Sequence, residues 1–379
     1  MIGNALVRTE LITTLEGFKT LEPDWNHLIP ADAGIDLPLT WSWFDAWLRG
    51  FWGAVRRKDS QARLHIFAIW DAQGIVAIAP MAIYSRLYHG VRIRTTNSLA
   101  NGSTSYWDLV LRNSLDESIV EQICTEIFKA IPTAVTNLRK LRENSPLRRF
   151  LAQSPKYAWK DLEVMRTPLI HCSGDLDTHL GTLSRKYRSR LRKKLKTFDA
   201  AGDTRVERKL MGSSLDPLFN QMVEISRQSW KFNEGRDIGS RQTLLQFLSA
   251  ITDYLGPLGR VEIWIAYRGD EGIAYELHIR SGTVTFPILA DYAKSARCLS
   301  PGSIVEYHAL AASFEDPSIE VYDTCAADYW YLQRISDSYR NTYETMIFSD
   351  GAGARVIQFV EFAAKPVYRS LRQLFSRAA

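Results

Sequence analysis

The residues best placed to do chemistry lie together in TVTFPILADYAKSARCLSPGSIVEYHALAASFED, Thr283 to Asp316. The run VTFPIL predicts a strand, AKSARCLSPGS a loop, and a helix opens near Ser303. Such a strand–loop–helix junction aims free backbone N–H groups at a phosphate, assisted by the positive end of the helix dipole. Gly302 lets a ligand approach the backbone, Ser300 and Ser303 add hydroxyl donors, and Arg297 and Lys294 supply charge. Metal chemistry has no such footing. The seven histidines show no HxxH or HExxH spacing, and cysteines 124, 172, 298 and 325 form neither CxxC pairs nor an even series. That pattern fits a reducing compartment, with Cys298 and Cys325 as small buried hydrophobes.

The elements that must position these residues fall into two similar halves. A length of 379 residues favours two domains, and 46% apolar content is enough for full cores. The expected class is α/β (α+β), each domain a mixed, mostly antiparallel sheet flanked by helices. The expected division is 1–165, 166–350 and a carboxyl-terminal amphipathic helix over 351–379. In the first half, a strand near ALVRTEL leads to helices around 18–28 and at TWSWFDAWLRGFW, where Ser42 is the expected cap. Strands follow at RLHIFAIW, IVAIAPMAIY, YWDLVLR and VTNLRKL, with helices over 117–130 and 146–153. In the second half, TRVERKL is a strand, 217–231 and 241–255 are helices, and VEIWIAYRGDEGIAYELHI is a hairpin. Gly74 and Gly272 take the same place in the two hairpins, which favours duplication.

Resemblance to a family enters at the loop. Arg297-x-x-Ser300-x-Gly302-Ser303 is similar to the R/Q-x-x-G-x-G/A pyrophosphate loop of GNAT acetyltransferases, with Ser at the first Gly. ADYAKSARCLSPGSIVEYHAL, followed by IEVYDTCAADYWYLQRIS, resembles the acetyltransferase domain of CelD-type proteins. These are linked to cellulose and other exopolysaccharide synthesis and are related to Fem-type tandem-GNAT transferases. SRKYRSRLRKKLKTFDAAG fits that family's entry into its second domain. The resemblance covers about 180–348 and is only architectural before that. One segment departs from it: Ala327-Asp328-Tyr329-Trp330-Tyr331-Leu332 stands where the family has Gly and then Tyr-Lys. The resemblance implies two tandem GNAT-like domains, the first degenerate and the second using acetyl-CoA or another acyl-CoA as co-substrate, without a metal.

Acyl transfer to an amine or hydroxyl needs a base, a polarised thioester carbonyl and a proton for the leaving thiolate. Glu276 and His278 alternate onto one sheet face, Asp291 follows the next strand, and Asp323 ends IEVYD. Tyr331 stands where a phenol could protonate the thiolate. Each also has a plain structural reading as a cap, a packed ring or a satisfied core group. Two other functions stay open: a Fem-type tRNA-dependent aminoacyl transferase, and a non-catalytic scaffold kept alive by the altered CAADYWYLQ segment.

The partners follow from charge and aromatics. LSRKYRSRLRKKLK, Leu183 to Lys196, carries eight Lys or Arg and no acid, while the whole chain is only +5. Leu180, Leu183, Tyr187, Leu191, Leu195 and Phe198 form one helical stripe, which Ser184 starts or interrupts. No stacking aromatic accompanies the charge outside that stripe, so a solvated helix outranks an anion site, and nucleic acid comes third. The carboxyl end, with Pro366, Arg369, Arg372 and Arg377, has the composition of a membrane-surface helix, though packing on the second domain is the preferred reading. No signal peptide or apolar span of about 18 residues is evident, so a cytoplasmic protein with a small-molecule or saccharide acceptor is expected. Trp41, Trp43, Phe44, Trp47, Phe51 and Trp52 read mainly as core.

Overall fold

The computed structural model describes residues 8–30, 34–88, 90–113 and 115–364. Within them the chain is mixed α/β, its sheets mostly antiparallel and flanked by helices, as expected. Pro366, Arg369, Arg372 and Arg377 lie outside the described residues, as does the start of the ALVRTEL strand, which is observed over Arg8–Ile12. Among the described residues no helix is long and apolar enough to cross a membrane.

Two compact units form, and both are discontinuous in sequence. The first takes Met1–Leu28, Lys58–Val164 and the chain from Thr342; the second takes Ile29–Arg57 and Met165–Asn341. The contiguous division expected from the sequence therefore differs at two places. The aromatic segment 41–52 finds its apolar partner in the second unit, and the strand through Thr342 pairs with Val135–Arg142 of the first.

In the first unit, Arg8–Ile12, Ile66–Asp71, Gly74–Ala79 and Val110–Leu111 line up as a four-stranded antiparallel sheet. A second set runs Ser338–Phe348, Val135–Arg142, Val91–Ser98, Met81–Tyr88 and Arg63–Leu64. Helices cover Glu117–Ala130 and Pro146–Gln153, where their apolar spacing put them. The strand expected at YWDLVLR shrinks to Val110–Leu111, because Asp108 just before it is turned inward. Its buried carboxylate accepts from Arg142 Nε at 3.0 Å and Ser145 Oγ at 2.6 Å.

The second unit carries the labelled elements. Helix α1 (Arg185–Asp199) is capped by Ser184, whose hydroxyl accepts from the Tyr187 N–H at 3.2 Å. The stripe from 180 to 198 is thus split between α1 and a short helix, Leu176–Thr182. Strand β1 (Thr204–Leu210), helices α2 (Pro217–Arg227) and α3 (Gln242–Leu255), and strands β2 (Val261–Arg268) and β3 (Glu271–Ser281) follow. Then come β4 (Val284–Tyr292), α4 (Pro301–Glu315) and β5 (Val321–Asp323). The sheet order is β1-β2-β3-β4-β5, and β5 pairs with the end of Ala158–His171. All pairs are antiparallel except β4 with β5.

The two hairpins match in a way the glycines do not. Gly74 opposes Asp71 directly at its turn, whereas Glu271 takes that place opposite Arg268 and Gly272 lies one residue further on. The equivalence of Gly74 and Gly272 is therefore wrong. What the hairpins share is a register shift at the same step, Ile69/Trp70 in one and Ala266/Tyr267 in the other.

Thr40, rather than Ser42, caps Trp41–Trp47, accepting from the Trp43 N–H at 3.3 Å. The chain continues through a wider turn, Leu48–Trp52, against α3. Rings of Trp43 and Phe51 meet Phe247 at 5.3 and 5.5 Å. Gly50 makes this approach: a Cβ there would lie 2.6 Å from the Thr243 carbonyl and 2.7 Å from Phe247 Cβ. Gly50→Ala is expected to cost about 1–3 kcal/mol in urea unfolding; a loss under about 0.5 kcal/mol, the size of a neutral surface change, would contradict this packing.

Candidate active site

Strand β4 is paired with β3 along its length but with β5 only at Val284 and Thr285. Beyond that point its outer edge has no strand partner among the described residues. Pro287 offers no N–H, and a register shift at Leu277/His278 leaves Ile288 unopposed. An interior strand is thereby laid open: Pro287, Ile288 and Leu289 are half-buried and Ala290 is exposed. The result is an edge of β4 that no strand covers, with an apolar wall and with its Ala290 carbonyl accepting from Lys231 Nζ at 3.1 Å.

A turn rich in donors follows β4. Lys294–Leu299 forms a 3-10 turn, Ser300 adopts a left-handed conformation with φ 54°, and Pro301 begins α4. Ser303 and Ile304 donate to the Ser300 carbonyl at 3.0 and 3.3 Å, while the Gly302 N–H has no partner among the described residues. A Cβ on Gly302 would come 3.5 Å from the Tyr292 ring, an ordinary contact. Nothing in the chain itself demands glycine there, so the space it leaves suits something outside the chain. Lys194 of α1 donates to Ser303 Oγ at 2.7 Å. Arg297 and Lys294 are exposed and enter no ion pair among the described residues. Together these place backbone donors, hydroxyls and cations at the start of a fifteen-residue helix, the arrangement that suits an anion.

Under α4 lies a buried polar group. Glu276 and His278 project from the same face of β3, with His278 Nε2 3.0 Å from Glu276 Oε2 and His278 Nδ1 3.3 Å from Thr285 Oγ1. The Tyr322 hydroxyl donates to Glu276 Oε2 at 3.3 Å. Glu306 of α4 completes the cluster. Burial first, then the negative charge of Glu276, pushes its carboxyl up to about 8, with Lys194 opposing. Tyr331 feels the same charges: burial, Glu306, Tyr329 and Glu276 push its phenol up to about 12. Its ring stacks on Tyr329 at 5.6 Å. Burial lowers the Lys194 ammonium, against the pull of Glu306.

Two other expected residues stand apart. Asp291 is in register with Tyr275, while Glu276 opposes Ala290, so the two carboxylates point to opposite faces of the sheet. Asp291 is buried against Lys231 Nζ at 2.7 Å and Ser226 Oγ at 2.8 Å, and burial raises its carboxyl. Asp323 is fully buried, forked by Arg340, and accepts from the Cys325 N–H at 3.0 Å. The structure thus brings Glu276, His278 and Tyr331 together, beside the turn holding Arg297, Ser300, Gly302 and Ser303. Sequence reasoning missed Glu306 and the role of Lys194. Glu306 had a signal: it is the only acid between Pro301 and Phe314 in an otherwise uncharged apolar helix.

An edge of β4 that no strand covers, a donor-rich turn and a buried polar cluster thus lie together in the second unit. Residues 185–333 match the acetyltransferase (GNAT) domain family profile. The chain carries a GNAT acetyltransferase domain and is an acyltransferase. No curated protein matches the chain. A conserved protein of unknown function from Bacteroides thetaiotaomicron VPI-5482 superposes with a TM-score of 0.51 at 9% identity, over 90% of this chain and 100% of its own. FemX gives 0.49 at 12% identity, over 94% of this chain and 100% of its own. A tandem GNAT protein from the clavulanic acid biosynthesis pathway gives 0.43 at 9%, over 91% and 99%. At these identities the likeness is one of fold.

Two outcomes test this geometry without a substrate. Ser300 is not glycine yet is left-handed, so Ser300→Gly is expected to stabilise the chain by about 1 kcal/mol in urea unfolding; a loss would place a missing hydroxyl contact above the strain. Glu306 binds its proton more tightly folded than unfolded, so its contribution is full below its ordinary 4.5 and lost as pH rises through about 8. The melting temperature of the native chain should fall more between pH 5 and 8 than that of Glu306→Gln. Parallel curves would contradict the raised carboxyl.

Proposed function

We propose that this chain moves an acyl group from acyl-CoA, acetyl-CoA being the simplest donor, to an amine or hydroxyl acceptor. The observation that carries this reading is the open edge of β4 ending at the unpartnered Gly302 N–H. Acyl-CoA is a chain with two amides ending in a pyrophosphate, and that combination suits an exposed strand edge followed by a cationic helix start. Arg297, Ser300, Gly302 and Ser303 would hold the pyrophosphate, assisted by Lys194. The acceptor would attack the thioester directly. Glu276, directly or through a water, would take its proton while bonded to His278, and Asp291 and Asp323 would serve the scaffold. The first half shows no counterpart of SARCLSPGS, which supports a degenerate first domain.

The resemblance to CelD-type proteins supports a saccharide acceptor and a role in exopolysaccharide synthesis. Exposed Trp330, with Arg334 over one face at 4.5 Å and the stacked Tyr329–Tyr331 pair beside it, fits that acceptor, since an exposed aromatic ring stacks on sugar rings. Four free cysteines and an acyl-CoA donor support work in the cytoplasm. A second reading, transfer from charged tRNA, is favoured by α1, whose eight cations enter no ion pair among the described residues.

Calorimetric titration with acetyl-CoA decides between them. Native protein is expected to bind, and Arg297→Ala with Gly302→Glu to weaken binding at least roughly tenfold, the worth of one lost charge-assisted contact. If neither acetyl-CoA nor longer acyl-CoAs bind and charged tRNA does, the second reading replaces the first.

A further inference from the structure

At the uncovered edge of β4 a cation is held in a fixed place. Lys231 lies just beyond α2, and its Nζ donates to the Ala290 carbonyl at 3.1 Å and sits 2.7 Å from Asp291 Oδ1. Asp291 is the anchor: its side chain is 4% exposed against 26% for Lys231, and its second oxygen accepts from Ser226 Oγ at 2.8 Å. Ser226 Oγ in turn accepts the Ile238 N–H at 3.1 Å, and the Lys231 N–H donates to Ser229 Oγ at 3.2 Å. The Lys294 N–H donates to the Gln228 carbonyl at 2.9 Å, which joins the segment carrying Lys231 to the turn that opens at Lys294. An ammonium has three N–H groups, and two of these are engaged. The third has no partner among the described residues.

Ala290 is opposed by Glu276 across β3 and β4, so the cation on its carbonyl and the carboxylate beside its side chain meet at one rung of the sheet. Glu276 stands on the α4 face with His278 and Tyr322, while Lys231 comes round the edge from the α2 face, where Asp291 and Ser226 lie. Ala290 is exposed and its side chain is a single methyl group, so this rung is open to a ligand. A carbonyl lying along the edge has a carboxylate on one side and a charged donor on the other. Acyl transfer needs both: a base for the acceptor's proton, and a donor for the oxygen that gains charge as the new bond forms.

We propose that Lys231 is a catalytic residue that holds the thioester oxygen: its third N–H bonds the carbonyl of the acyl group and stabilises the charge that oxygen gains during transfer. This rests on the acyl-CoA reading. The acceptor nitrogen or oxygen forms its bond to the acyl carbon, and the carbonyl π pair moves onto the oxygen beside Lys231. Return of that pair re-forms the carbonyl and breaks the carbon–sulfur bond, whose electrons leave on sulfur as the thiolate. The acceptor's proton passes to Glu276, directly or through a water, and returns through solvent to the thiolate, giving the thiol. Lys231 keeps its own proton throughout. Asp291 touches no substrate atom and is the positioning residue that aims the ammonium.

The test compares acetyl-CoA with S-ethyl-CoA, a thioether of equal length that lacks the carbonyl, by calorimetric titration of the full chain. Native protein should bind acetyl-CoA roughly tenfold more tightly, the low end of what one hydrogen bond to a charged group is worth. Lys231→Met should lose that preference while its affinity for CoA itself stays within roughly threefold. Since this change leaves Asp291 buried without its cation, Lys231→Met combined with Asp291→Asn serves as a second variant with no unpaired charge, and it should lose the preference too. The native complex carries its own signature. The isotope-edited infrared band of the acetyl carbonyl should lie at lower wavenumber when bound than in free acetyl-CoA, and both variants should return it toward the free value. Equal affinity of the native chain for acetyl-CoA and S-ethyl-CoA overturns the assignment, as does a preference or a band shift that survives in both variants. Failure of the native chain to bind acetyl-CoA, S-ethyl-CoA and CoA alike overturns the acyl-CoA reading instead.

Discussion

Strand β5 holds β4 at two residues and then leaves it, and the arrangement of the second unit depends on that separation. Asp323 explains why the strand stops there. Its buried carboxylate is forked by Arg340 and accepts the Cys325 N–H, and Cys325 takes a positive φ of 52°, so the chain turns away immediately after the strand. On the other side Pro287 and the extra residue Ile288 remove β4 from regular pairing. A sheet normally closes such a gap, because each unpaired backbone group forgoes a ladder hydrogen bond. Here the gap is kept open by a buried ion pair on one wall and a proline on the other. Asp323 thus belongs to the turn that ends β5 rather than to the polar cluster under α4.

The gap also explains why the polar groups lie where they do. Alternation along β3 sends Glu276 and His278 under α4, and Tyr275 to the face of α2, where Asp291 and Ser226 lie. Two polar clusters therefore flank one sheet without touching. The one under α4 shares its helix with the anion-binding turn; the other is tied down by Lys231. Position along α4 sets the spacing: Gly302, Glu306 and Leu310 follow at intervals of four, so they share one face of the helix.

Much of this was legible in the sequence, and the reasons for the rest are physical. Glu117–Ala130, Pro146–Gln153 and the paired hairpins were visible because period and turn chemistry are local signals. The anion-binding turn was visible because strand, small residues and cations occur in one run. The identity of the aromatic helix's partner was not, since nothing local in WSWFDAWLRGFW names Phe247 as its neighbour. Gly74 and Gly272 misled because a bulge, and not the glycine, sets the register. Asp291 and Asp323 looked alike as acids ending strands; which face each takes, and that Arg340 would reach Asp323, depends on tertiary pairing. Glu306 was hidden by its helix, since an apolar stretch reads as packing until its one acid is seen to face another.

Lys194 joins the two parts of the site. Its ammonium donates to Ser303 in the anion-binding turn, and its charge is what opposes the raised Glu306 carboxyl. It comes from α1, whose other cations except the half-buried Arg188 are exposed, yet it lies near the apolar stripe, one residue before Leu195, where it is half-buried. One side chain thus ties α1 to the turn at Ser300–Ser303 and, through its charge, to the carboxyl of α4.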